Sequence, residues 1–78
     1  MNVSEFNLKL ANHNLINSMS SYHQNWIRTR IENKKEIDLI LHLATIYNLP
    51  EDFCILLSDY NTYLNVGDDF IITKKYTF

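Results

Sequence analysis

Residues 35–57 read KEIDLILHLATIYNLPEDFCILL, and the way this stretch divides decides the fold. Ile37, Ile40, Leu41 and Ala44 recur at helical spacing, with Leu39, Leu43 and Ile46 as a second apolar stripe beside them. The spacing predicts a helix over 35–47, and two apolar stripes predict a central helix covered on both sides. Asn33, with Glu36 three residues on, supplies the start signal. Pro50 supplies the stop, because the residue before a proline avoids the helical region. Pro50 also suits the first position of a following helix, with Glu51 and Asp52 favoured by the N-terminal dipole. Phe53, Leu56, Leu57 and Tyr60 form that helix's buried face. Its end is open, since Leu64 continues the period while Ser58-Asp59-Tyr60-Asn61 reads as a turn.

Towards the N-terminus, Ser21 and Gln24 have capping-box spacing, and Tyr22, Trp26, Ile27 and Ile31 follow on one face. A helix over 22–32 is expected. Before it, Ser4 is a cap, and Leu8, Ala11, Leu15 and Met19 predict a helix over 4–18. Asn7, Asn12, Asn14 and Asn17 weaken its intrinsic propensity, so packing must hold it.

Towards the C-terminus the character changes. Residues 62–66 and 70–73 are rich in β formers, and Gly67-Asp68-Asp69 between them is a hairpin signal. Lys74 to Phe78 then reads as an extended end. The rival is a longer fourth helix followed by one strand, whose unpaired edge would favour a homodimer through that strand. The expected fold is mainly α, a compact bundle of three to four short helices with a C-terminal β-hairpin or strand (α+β). Residues 1–78 make one domain.

At 78 residues, such a chain buries only about 60% of its unfolded surface, so its core is thin. Hydrophobic residues make up 46% and the net charge is −2, which together exclude a disordered or polyanion-seeking composition. Cys54 is the only cysteine, so no internal disulfide is available and a cytoplasmic location is expected. The N-terminal residues lack the basic and apolar regions of a signal peptide. No apolar run reaches the roughly 18 residues of a membrane span. Asn, Ile, Lys and Tyr are abundant, as AT-rich coding gives, which suggests a phage or mobile element as source.

No catalytic set stands out. His13, His23 and His42 fall on three predicted helices, without a partner at zinc-ligand spacing, and read as surface or edge residues. Cys54 lies in the apolar run 53–57, where a thiol is quiet. The pairs Glu51-Asp52 and Asp68-Asp69 fit a helix start and a turn. One glycine excludes a glycine-rich phosphate loop. No metal, cofactor or enzymatic activity is expected.

Two surfaces invite binding. Residues 23–35 hold four of the seven basic residues, and Gln24, Asn25, Arg28, Arg30, Lys34 and Lys35 have the chemistry of a DNA-reading helix. Ile31-Glu32-Asn33-Lys34 resembles the end of the recognition helix in Xre/Cro-like helix-turn-helix repressors. Leu41 to Phe53, with Leu43-Ala44 and Leu49-Pro50-Glu51-Asp52-Phe53, is similar to the helix and turn that follow it there. The resemblance covers about a third of the chain. The family's glycine and proline after the recognition helix are missing, the connection is shorter, and the preceding helix has another spacing. What the resemblance implies is a DNA-binding regulator. A winged-helix analogy fits three helices and a hairpin with Lys74 and Lys75, but would set Glu51, Asp52 and Asp59 against phosphate.

The second surface is aromatic. Tyr22, Trp26, Tyr47, Tyr60, Tyr63, Tyr76 and Phe78 exceed what a thin core absorbs, and Tyr and Trp anchor protein interfaces. The expected function is therefore a small non-enzymatic regulator or inhibitor, such as an anti-defence inhibitor, that docks on a host or target protein. Its docking residues would be Tyr22, Trp26, Tyr60, Tyr63, Asp68, Asp69 and Tyr76. The alternative is the helix-turn-helix regulator using 24–35.

Overall fold

Pro50 and its neighbours divide the chain as the sequence predicts. In the computed structural model, which describes residues 3–67, α4 (Ile40–Tyr47) ends before Pro50 and α5 (Glu51–Val66) begins after it. Ahead of them lie α1 (Val3–Ala11), α2 (Asn14–Asn17) and α3 (Ser21–Glu32). The order is all helical, with no strand among the described residues. Helix α3 packs on α1 and α2, and α5 packs on α4.

One core joins every element. Phe6 and Leu10 enter from α1, Ile16 from α2, Met19 from the loop, Ile27 and Ile31 from α3, and Ile37 and Leu43 from the α4 region. Helix α5 contributes Phe53, Leu56, Leu57, Tyr60 and Tyr63. No charged residue is buried among them. The Tyr60 hydroxyl crosses the core to donate to the Ile31 carbonyl at 3.2 Å. Burial, and then the neighbouring Tyr63 phenol, pushes the Tyr60 hydroxyl up to about 12.

Several expected boundaries are corrected. The single helix over 4–18 is broken at Asn12-His13, where asparagine propensity is weak. The His13 ring accepts from the Leu15 N–H at 3.1 Å and so caps a new turn, which carries Ile16 inward. The cap of α3 is Ser20, one residue earlier than expected, with its hydroxyl accepting from the His23 N–H. Pro50 is the N-cap of α5 and not its first helical residue.

The helix over 35–47 begins only at Ile40. Ile37 is drawn into the core, and its N–H donates to Asn61 Oδ1 at 3.0 Å. Leu39 then takes a left-handed backbone, φ 59, before α4 starts. Nor is α4 covered on both sides. Leu43 alone is buried, while Leu39, Leu41 and Ile46 are exposed.

Residues 62–66 are the last turns of α5 and not a strand. Leu56, Tyr60 and Tyr63 continue one buried row, and that burial overrides both β propensity and the turn signal at 58–61. Gly67, at φ 79, ends the helix, and its N–H donates to the Tyr63 carbonyl. The expected second strand, the turn at Asp68-Asp69, and Lys74, Lys75, Tyr76 and Phe78 lie outside the described residues.

Candidate protein-docking stripe on the third helix

At 100° per residue, Tyr22, Trp26 and Arg30 lie one above another on α3. They flank the buried row Ile27 and Ile31 on one side. The Tyr22 ring is 74% exposed. Trp26 is half-buried, its inner edge packed on the core. The Arg30 guanidinium lies over the Trp26 ring, 3.7 Å from its centroid.

Both ends of this stripe touch the α4 region. At the start of α3, the Tyr22 ring meets His23 edge-on at 5.3 Å, and His23 meets Tyr47 the same way at 5.3 Å. At the other end, Arg30 Nη2 pairs with Asp38 Oδ2 at 3.5 Å. The stripe therefore follows the seam between α3 and residues 38–47. Half-exposed aromatic surface with a stacked arginine is the side-chain set enriched at binding hot spots.

A polar clip fastens the seam. The Tyr47 hydroxyl donates to Ser20 Oγ at 3.1 Å, accepts from the Ser20 N–H at 3.2 Å, and hydrogen-bonds His23 Nδ1. Serine, histidine and tyrosine meet here, but the serine oxygen is engaged as the cap of α3. Its arrangement joins the start of α3 to the end of α4.

The opposite flank of α3 is a second fixed network. Arg28 Nε donates to the Ala11 carbonyl at 3.0 Å, Nη1 donates to Gln24 Oε1 at 3.0 Å, and Nη2 donates to Asn17 Oδ1. Gln24 Nε2 in turn donates to the carbonyls of Met19 at 2.7 Å and Asn17 at 3.0 Å. Two of the six residues with DNA-reading chemistry are thus tied into the junction of α1, α2 and α3, and Arg30 is stacked on Trp26. Asn25, Lys34 and Lys35 are exposed.

Of the aromatic residues expected to dock, Tyr22 and Trp26 share the stripe. Tyr60 and Tyr63 are core residues, which corrects their expected exposure. The α5 helix turns Tyr63 inward where the expected strand over 62–66 would have freed one face, and Tyr60 lies on the helix face that the period already marks as buried. Asp68, Asp69 and Tyr76 lie outside the described residues. The sequence reading missed Arg30 as the stacking partner of Trp26, although their i,i+4 spacing was the available signal.

The remaining reactive side chains are dispersed. His13 lies against Phe53 with ring centroids 4.7 Å apart and His23 is half-buried in the seam, so neither is the surface residue expected. His42 is exposed on α4, and Cys54 is half-buried where full burial was expected. Among the described residues, no group of three or more His, Cys, Asp or Glu converges to hold a metal ion. No helix among them is long and apolar enough to cross a membrane. Comparison with protein-family models, with characterised proteins and with solved structures found no match.

Proposed function

We propose that this chain is a non-enzymatic protein-binding regulator that docks on its target through the Tyr22–Trp26–Arg30 stripe. The observation that carries this reading is the stack of Arg30 on a Trp26 ring that is itself anchored in the core. An anchored ring and a stacked guanidinium are pre-organised, so binding orders little that was free. Tyr22 adds large contact area at small entropy cost. A DNA-reading role for the same helix would require Gln24 and Arg28 to leave their backbone and side-chain partners.

Site-specific photo-cross-linking in the source cells tests the docking. A photoreactive phenylalanine at position 22 should yield one discrete heavier adduct with a protein, and the same group at the exposed Ser58 of α5 should not. Arg30→Ala in the position-22 protein should abolish the adduct while far-UV circular dichroism stays unchanged. Equal labelling from both positions, or an adduct indifferent to Arg30→Ala, would remove the stripe from the function.

A further inference from the structure

Arg30 is fixed in place with most of its hydrogen-bonding capacity unspent. Its guanidinium lies over the Trp26 ring, 3.7 Å from the centroid, and its side chain is 25% exposed. Among the described residues its one polar partner is Asp38, met through Nη2 alone at 3.5 Å. A close charge-assisted bond measures about 2.7–2.9 Å, so this contact is loose. Nε and Nη1 have no hydrogen-bond partner among the described residues. An arginine carries five N–H donors in a planar fork, and a stack occupies a face of that plane while leaving its edges for hydrogen bonds. Asp38 is 59% exposed and sits in the turn ahead of α4, so moving it disturbs no helix.

Charge selects the group that fits. The fork of a guanidinium matches the two oxygens of a carboxylate or the oxygens of a phosphate. A phosphate brings close to two negative charges, and its protein sites draw on clusters of arginine. Here the second arginine of α3, Arg28, is tied into the junction of α1, α2 and α3 on the opposite flank. Lys34 and Lys35 stand past the end of the helix. One guanidinium with a carboxylate already beside it suits a single negative charge.

We infer that the partner protein presents a carboxylate, from an Asp or Glu side chain, to Arg30, and that Asp38 holds its place in the free chain. This rests on the reading that the α3 stripe docks on a protein, and it names what that protein must offer. On docking, a bidentate pair replaces a one-point contact, and the partner's own surface excludes water from it. The Asp38 carboxylate returns to solvent at little cost, because an exposed ion pair is worth little. Asp38 is thus a weak internal competitor, and it lowers the apparent affinity by the fraction of chains in which it holds Arg30.

Two measurements test this. With the photoreactive group at position 22, and lysate diluted until cross-linking is partial, Asp38→Asn should raise the adduct about two- to fivefold, the factor an exposed ion pair withholds. Asp38→Ser repeats the test if the asparagine changes the helical circular dichroism. An unchanged adduct overturns the inference, and so does a smaller one, because Asp38 would then be positioning Arg30 for the partner. The chemistry is read on the free chain, where Trp26 is the only tryptophan and its emission reports the stack. A peptide of alternating Glu and Ser should change that emission saturably, with half-saturation about two- to fivefold lower in Asp38→Asn and no response in Arg30→Gln. A peptide of alternating Gln and Ser should do nothing. Silence towards the Glu peptide, or a stronger response to a peptide carrying phosphoserine in place of Glu, overturns the carboxylate. A missing wild-type adduct removes the docking reading and this inference with it, whereas an adduct beside a silent Glu peptide removes the carboxylate alone.

Discussion

Arg28 Nε donates to the carbonyl of Ala11 at 3.0 Å, across the junction where α1 ends and α3 passes. That carbonyl belongs to the last turn of α1, where the helix offers no internal donor. The same guanidinium reaches Gln24 and Asn17, so one planar fork serves three elements. Arg28→Ala should lower stability by about 2 kcal/mol, the range for hydrogen bonds from a charged donor. Arg28→Lys should recover less than half of that, because a single ammonium cannot span the three acceptors. Urea unfolding monitored by circular dichroism gives both values, and full rescue by lysine would show that charge alone matters here.

The C-terminal end of α3 carries a lysine where a helix stop favours glycine. Lys35 N–H donates to the Arg30 carbonyl at 2.8 Å and Lys34 N–H to the Ile31 carbonyl at 3.2 Å, the pair of bonds that defines a Schellman motif. Lys34 sits between them at φ 53 and is exposed. Lys34→Gly removes the strain of its Cβ and should stabilise the fold by about 0.5–1 kcal/mol. In a domain of this size that raises Tm by about 2–8 °C. Lys34→Ala keeps the Cβ and should gain nothing, which separates backbone strain from loss of the lysine charge.

Helix starts governed by short-range signals were legible in the sequence. The expected cap Ser21 before α3, where Ser20 takes the role, and Pro50 with two acids before α5 act within one turn of themselves, so pattern locates these starts to within one residue. The late start of α4 was not legible. It depends on Ile37 donating to Asn61, a bond across 24 residues of chain. The aromatic site was half legible for a related reason. Tyr22 and Trp26 follow from their place beside Ile27 and Ile31, and the helical period puts Tyr60 on the buried face, but the burial of Tyr63 depends on α5 continuing past a turn-like sequence. Arg28 reads as a solvated charge because one of its three acceptors is a backbone carbonyl and the other two are ordinary polar side chains, none of which a charge pattern reveals.

The clip between Ser20 and Tyr47 combines two roles that substitution can separate. Ser20→Ala removes the N-cap of α3 and one acceptor of the Tyr47 hydroxyl, and should cost about 1 kcal/mol for the cap alone. Tyr47→Phe removes the inter-helix bonds and leaves the cap. In a double-mutant cycle the two should be non-additive by about 0.5 kcal/mol or more, since they share a hydrogen bond. Strict additivity would show that the clip contributes nothing between α3 and α4.

Tyr60 makes stability fall at alkaline pH. Its hydroxyl titrates near 10 in the unfolded chain and near 12 when buried, so between those values the folded state holds a proton that the unfolded state has lost. The stabilisation is complete below pH 10 and is lost as pH rises through about 12, for a total of about 3 kcal/mol. Tyr60→Phe abolishes this slope. At pH 7 it should cost only about 0.5–1 kcal/mol, because the Ile31 carbonyl still accepts from the Lys34 N–H. Urea titrations should therefore show the stability difference between the two proteins shrinking above pH 10 and reversing sign by about pH 12. A constant difference would mean that the phenol ionises as freely in the fold as out of it.

Leu39 starts α4 from a left-handed backbone, φ 59, although its side chain is exposed. Glycine adopts that φ without steric cost, and the gain outweighs the extra freedom of the unfolded chain. Leu39→Gly should stabilise the domain by about 0.5–1 kcal/mol, read as a raised Tm. Leu39→Ala keeps the strained backbone and should give no gain in Tm. If Leu39→Gly instead lowers Tm, the leucine side chain contributes to the fold in spite of its exposure.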